Sequence, residues 1–84
     1  MKTIHKFLLA DYVQMPKGAK PIHVNHQGAS MVWAIVDDSR SMVMHEFNIV
    51  GTGWDLEDVK GNYIGTVHEP NGFVWHVFYV GEKE

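Results

Sequence analysis

Alternation of apolar and polar residues, with almost no helical spacing, is the feature that most constrains the fold of this chain. In one early segment, Ile22 and Val24 alternate with His23 and Asn25. Successive side chains of a β-strand point to opposite faces, so this pattern predicts a strand with one buried and one exposed face. The run Met31–Val36 is instead apolar on both faces, which is typical of a central strand.

The strand-like runs are separated by residues that favour turns. Pro16–Ala19 has proline at the second position of a turn, and Asn71-Gly72 is a strong hairpin signal. Residues 55–60 have some helical character but are too few for a helix without tertiary support. The sequence therefore predicts a mainly β fold, either a small antiparallel sheet or a partly closed barrel of five to six strands with at most one short helical turn. The runs are residues 3–9, 22–27, 31–36, 42–50, 63–68 and 73–80.

The length of the chain predicts one domain. We expect its 84 residues to form one small β domain over residues 1–84. The charged end at residues 81–84 is expected to be frayed. The absence of cysteine excludes a disulfide framework and a thiolate metal site, and it fits a reducing cytoplasm. No apolar run approaches the ~20 residues of a membrane-spanning helix, so no membrane partner is expected.

The charge balance argues against duplex nucleic acid as a partner. Seven lysines and arginines face ten acidic residues, which gives a net charge of −3, and no dense basic cluster interrupts the chain. Local basic character is found around Lys17 and Lys20, which bracket Gly18-Ala19. A small anion is the kind of ligand that such a pair of lysines would hold.

The residue pattern does not favour catalysis. Acidic residues cluster only in predicted loops, at Asp37-Asp38 and within 55–58, and no serine has the surroundings of a nucleophile. His23 and His26 would point to opposite faces of a strand, which is the wrong spacing for chelation. We therefore expect no catalytic residues, no metal site and no cofactor.

The segment that leads from Ile49 into Gly51-Thr52-Gly53-Trp54 is the best candidate for a ligand site. Glycines let a ligand approach the main chain, and an exposed indole offers a stacking surface. The alternative is a tight turn or bulge with a half-buried tryptophan. Most other large aromatic residues are expected in the core: Trp33, Tyr63, Phe73, Trp75 and Tyr79. The candidate ligand-binding residues are Lys17, Lys20, Gly51, Thr52, Gly53 and Trp54.

Two alternatives for assembly follow from the aromatic last run. A sheet that exposes such a run tends to be paired or covered, which predicts a homodimer. Closure into a barrel would remove the edges and give a monomer.

An ordered set of motifs along nearly the whole chain resembles a family of small uncharacterised phage and prophage proteins. The chain departs from the usual pattern at His26, where an aliphatic residue is more typical, and at Trp54. The resemblance implies a non-structural accessory protein in the cytoplasm of an infected bacterium, without assigned catalytic residues. The motifs are Met1-Lys2-Thr3-Ile4, Met15-Pro16-Lys17-Gly18-Ala19-Lys20, Trp33-Ala34-Ile35-Val36, Ile49-Val50-Gly51-Thr52-Gly53, Tyr63-Ile64-Gly65-Thr66-Val67 and Phe73-Val74-Trp75-His76-Val77-Phe78.

These observations lead to a binding function rather than an enzymatic one. By analogy with other small phage proteins, the leading hypothesis is an anti-defence protein that sequesters cyclic nucleotide immune signals. Lysines and glycine amides would hold phosphate and an aromatic ring would stack on the purine. The alternative is an inhibitor or adaptor that engages a host protein through an aromatic sheet edge.

Overall fold

The computed structural model describes residues 1–83 and consists of seven β-strands in two antiparallel sheets. The smaller sheet has the strand order β1-β4-β3, and the larger has the order β2-β5-β7-β6. The strands are β1 (Lys2–Leu8), β2 (Tyr12–Pro16), β3 (Lys20–His26), β4 (Ser30–Asp37), β5 (Met42–Gly51), β6 (Asn62–His68) and β7 (Val74–Glu82).

The prediction of a mainly β, antiparallel fold is confirmed, but the strand count and the single sheet are wrong. The additional strand is β2, in which Val13 and Met15 are buried while Tyr12 and Gln14 are exposed. This strand is short and ends at Pro16, which an edge strand tolerates because it needs no amide hydrogen there. The sheets do not close into a barrel, so β1, β3, β2 and β6 remain edge strands.

The segment between β5 and β6 forms turns, and the described residues contain no helix. Asp55 Oδ1 accepts a hydrogen bond from the amide of Glu57 at 2.9 Å, a local bond that competes with helix formation. Residues 52–61, here called the cover loop, lie against the larger sheet and share a cleft with β6 and β7. Asn48 on β5 fixes the end of the cover loop by donating to the carbonyl of Lys60 at 2.8 Å.

The end of the chain is held in the larger sheet rather than frayed. Gly81 and Glu82 pair with Glu46 and His45 of β5, and the amide of Lys83 donates to the carbonyl of Met44 at 2.8 Å. The sequence-based expectation of fraying therefore does not apply to residues 81–83. The remaining residue of the segment predicted to fray, Glu84, lies outside the described residues.

The hydrophobic core lies between the two sheets. The smaller sheet contributes mainly valine side chains to the core, and the larger sheet contributes bulkier side chains that include Phe47 and Met15. The ring of Tyr79 packs against Phe47 with their centroids 5.3 Å apart. The buried residues that form this core cluster are Val13, Met15, Ala19, Val24, Val32, Ala34, Val36, Phe47, Val67 and Val77.

His26 is a point of local instability at the end of β3. Its Nδ1 atom is buried and has no hydrogen-bond partner among residues 1–83. A buried polar atom without a partner lowers stability, so we expect His26→Leu to raise the free energy of unfolding by about 1 kcal/mol in urea denaturation. The exposed His23 on the same strand supplies the control, because His23→Leu should change stability by less than about 0.5 kcal/mol. A loss of stability in His26→Leu would contradict this account.

Candidate functional site

The Gly51–Trp54 segment is a tight turn that follows β5. The amide of Trp54 donates to the carbonyl of Gly51 at 3.2 Å, and Gly53 has a φ angle of +89°. No residue other than glycine has a positive φ angle among those described, so Thr52 is in an ordinary conformation and the turn is of type II. A type II turn favours glycine at its third position, which explains Gly53.

The indole of Trp54 rests on the backbone of Gly51. A Cβ atom on Gly51 would lie 2.8 Å from the Nε1 atom and 2.9 Å from the Cε2 atom of Trp54, so only glycine admits the ring there. The indole meets Trp75 edge-on, with the ring centroids 5.7 Å apart and the planes at 81°. Trp54 nevertheless keeps 58% of its surface exposed. The turn thus presents a tryptophan that packs on Gly51 and Trp75 and is still open to a partner.

Trp54 belongs to a group of aromatic residues that we call the aromatic surface: Trp54, Tyr63, Phe73, Trp75 and Phe78. Tyr63 packs edge-on to Phe78 with centroids 5.6 Å apart, and Phe73 lies 5.8 Å from Trp75. Tyr63 and Phe73 are 57% and 58% exposed, so their expected burial in the core is wrong. Tyr63 is on the outer face of an edge strand, and Phe73 lies in the turn before β7 begins.

Three shallow clefts meet at Trp54. The first has a volume of about 350 Å³ and includes Phe73 and Trp75 in its wall. The second, of about 240 Å³, is closed by Leu56 of the cover loop and by aromatic residues of β6 and β7. The third, of about 450 Å³, opens between the edges of the two sheets beside Asp11. No lysine or arginine lines any of the three, and their walls are mostly apolar.

A chain of hydrogen bonds fixes the turn and the ring of Tyr63. Thr52 Oγ1 lies 2.8 Å from His76 Nε2, and His76 Nδ1 lies 3.1 Å from Thr66 Oγ1. The hydroxyl groups of Thr66 and Tyr63 are 2.5 Å apart. Both ring nitrogens of His76 are therefore engaged within the protein, which makes the histidine a structural support for the aromatic surface.

Five carboxylates, which we call the acidic rim, lie on the cover loop, in the wall of the third cleft or against Trp75. Glu69 accepts a hydrogen bond from Trp75 Nε1 at 2.6 Å, while its other oxygen lies 3.4 Å from Ser30 Oγ. The cover loop carries three acidic residues and only one cationic residue, Lys60. The local charge is consequently negative. The members of the acidic rim are Asp11, Asp55, Glu57, Asp58 and Glu69.

The structure divides the candidate binding residues between two places. Gly51, Thr52, Gly53 and Trp54 come together at the aromatic surface. The amide of Lys17, in contrast, donates to the carbonyl of Ser41, which precedes the start of β5, whereas Gly51 ends the same strand. At ~3.3 Å per residue, a ten-residue strand spans about 30 Å. Lys17 and Lys20 therefore line a different cleft at the other end of the molecule, and ligand binding at either end stays a prediction.

The described residues form neither a metal-binding cluster nor a helix that could span a membrane. No three histidine or acidic side chains within residues 1–83 come close enough together to hold a metal ion. The same part of the chain contains no helix with the length and apolar character that crossing a membrane requires.

Comparison with known proteins places the chain in a family. A family model described as a domain of unknown function, DUF7352, matches residues 1–84. The chain belongs to this family. No curated protein and no solved structure matches the chain. The family description assigns no activity and gives no indication of phage origin.

Proposed function

We propose that this DUF7352 protein is a non-catalytic binding module that docks a partner protein on its aromatic surface, with Trp54 as the central anchor. The observation that carries the proposal is the meeting of three clefts at one exposed tryptophan that packs on Gly51 and Trp75. Tryptophan and tyrosine are enriched among the residues that dominate binding energy at protein interfaces. Because the indole already rests on Gly51 and Trp75, little side-chain entropy is lost when a partner covers it.

The shape of the site supports a protein partner over a small molecule. Each cleft is shallow and the three adjoin one another, so together they suit several neighbouring side chains of a partner. A small ligand usually has most of its surface enclosed in one pocket.

The charge of the site gives the chemistry of the partner. The acidic rim, with no lysine or arginine in the cleft walls, favours a segment that carries apolar or aromatic anchors flanked by basic residues. Combined with the resemblance to phage accessory proteins, this favours a host protein in the bacterial cytoplasm, which the chain would inhibit or recruit.

Sequestration of a cyclic nucleotide is the competing function. Trp54 offers a stacking surface for a purine, but the phosphates would lie beside carboxylates, and Lys17 and Lys20 are about 30 Å away along β5. The electrostatics at Trp54 therefore oppose an anionic ligand. This separation favours the protein-binding alternative.

The test compares Trp54→Ala with Ile4→Ala, an exposed apolar residue on the other sheet. Proteins captured from bacterial lysate by the wild-type chain would be purified and titrated against each variant. We expect Trp54→Ala to weaken binding by about 2 kcal/mol, or about thirtyfold, and Ile4→Ala to leave it unchanged. Binding should also weaken as salt is raised, because the acidic rim steers a basic partner.

The same variants are titrated with a panel of cyclic di- and trinucleotides. If Trp54→Ala and Ile4→Ala weakened binding of the partner protein equally, a role for the aromatic surface would be contradicted. Nucleotide binding that Trp54→Ala abolishes, without any protein partner, would instead favour sequestration.

A further inference from the structure

A second cleft, which we call the basic cleft, lies at the end of the molecule opposite the aromatic surface. It has a volume of about 450 Å³. Four cationic side chains from separate parts of the chain converge on it, at the start of β1, in the turn after β2, at the start of β3 and in the turn after β4. These residues are Lys2, Lys17, Lys20 and Arg40. The cleft contrasts with the net negative charge of the chain.

The four cations are not neutralised by ion pairs. Both ion pairs found within residues 1–83 are made by the amino terminus, with Asp37 and Asp38. Asp37 is the one carboxylate in the cleft wall, and it accepts hydrogen bonds from the hydroxyl of Ser39 at 2.6 Å and from its amide at 3.1 Å. These bonds hold the pKa of Asp37 at about 2. Asp37 is therefore ionised, but its partner is the amino terminus, so one carboxylate in the wall leaves most of the positive charge of the four cations uncompensated.

Backbone contacts determine the position of Arg40 in the basic cleft. A Cβ atom on Gly18 would lie 3.1 Å from Arg40 Nη1, so the guanidinium packs against the backbone of the turn between Lys17 and Lys20. The amide of Arg40 donates to the carbonyl of Asp37 at 3.1 Å, which fixes the turn that carries the side chain. The guanidinium fork is suited to phosphate oxygens.

The turn after β2 already holds a carboxylate. Glu82 Oε2 accepts a hydrogen bond of 2.7 Å from the amide of Gly18, next to Lys17. This contact shows that an anionic oxygen fits at the turn amide. Glu82 would therefore compete with an external anion for the same position.

We propose that the basic cleft binds a compact diphosphate group, either as inorganic pyrophosphate or as part of a nucleotide. With Glu82 displaced from the turn amide, four cations face the one carboxylate of Asp37, and this excess of positive charge matches a diphosphate better than a single phosphate. No aromatic residue lines the cleft, so recognition rests on the phosphates and not on a base. This proposal is independent of the proposed function, because the two sites share no residue.

The first part of the test identifies what is recognised. Calorimetric titration at low ionic strength compares pyrophosphate, ADP and adenosine. We expect saturable and similar binding of pyrophosphate and ADP and no binding of adenosine. Absence of saturable pyrophosphate binding would overturn the proposal, as would binding of adenosine.

The second part uses matched variants, each checked for folding by circular dichroism. Arg40→Gln should weaken pyrophosphate binding about tenfold, because a charge-assisted hydrogen bond is lost. Glu82→Gln should tighten binding about threefold by removing the competing charge. Lys6→Gln is the control, since Lys6 Nζ donates to Gln27 Oε1 at 2.7 Å outside the cleft. Equal weakening in Lys6→Gln and Arg40→Gln would mean non-specific attraction and would overturn the proposal, whereas Trp54→Ala should have no effect.

Discussion

Replacement of Gly61 by alanine is expected to lower the free energy of unfolding by about 3 kcal/mol. Gly61 has a φ angle of +100°, a conformation that an L residue adopts only at a cost of about 1–2 kcal/mol. A Cβ atom would also lie 2.5 Å from the carbonyl oxygen and 2.7 Å from the carbonyl carbon of Tyr79. These atoms belong to the backbone of β7, a central strand, so the chain at Gly61 has to move instead. The expected result is detachment of the end of the cover loop from the larger sheet.

Gly28→Ala is the matched control for this prediction. Gly28 has a φ angle of +73°, but a Cβ atom there would meet nothing within 4 Å. The two variants therefore share the backbone strain and differ in the clash. Urea denaturation of both should give a clearly smaller loss for Gly28→Ala, of about 1–2 kcal/mol. Similar losses in the two variants would contradict the steric argument.

Most strands can be predicted from the sequence because the pattern of apolar and polar residues within each run is enough to indicate a strand. Six of the seven strands fall within or close to the predicted runs. Strand β2 was missed because its five residues give too few alternations to distinguish it from a loop. The division into two sheets depends on which strands pair, and that information is not local: β1 pairs with β4, and β2 with β5.

The candidate site shows the same limit. The turn at Gly51–Trp54 could be predicted because glycine and tryptophan act within four residues, through the φ angle of Gly53 and the contact of Trp54 with Gly51. The separation of Lys17 from Trp54 could not be predicted, because it depends on the strand order. β2 runs antiparallel to β5 with Pro16 opposite Met42, which places Lys17 at the far end from the aromatic surface.

The exposure of Phe73 and Tyr63 was mispredicted for a related reason. Composition predicts that aromatic residues are buried, but a residue's place on an edge strand or in a turn decides its exposure. Phe73 directly follows the Asn71-Gly72 turn, and this position was the available signal that it would be exposed. In a chain this small, two sheets leave much of the outer surface uncovered, and aromatic residues there are available for binding.

His45 is a buried polar residue on which the packing of β5, β7 and the end of β2 depends. It has no exposed surface, its Nε2 atom lies 3.2 Å from the carbonyl oxygen of Pro16, and its Nδ1 atom lies 2.8 Å from Tyr79 Oη. A carbonyl only accepts, so Nε2 carries the hydrogen and Nδ1 accepts from the tyrosine hydroxyl. Burial raises the pKa of Tyr79, which keeps this hydroxyl protonated and able to donate.

We therefore expect His45→Leu to lower the free energy of unfolding by about 3 kcal/mol, because it leaves the Tyr79 hydroxyl and the Pro16 carbonyl without their partner. Tyr79→Phe should cost about 1–2 kcal/mol, since only the Nδ1 atom of His45 loses a partner. In the double variant the second substitution removes an already unpaired hydroxyl, so the two losses should fall short of additivity by about 1 kcal/mol. Urea denaturation of the three variants gives this coupling, and full additivity would mean that the hydrogen bond between His45 and Tyr79 contributes nothing to stability.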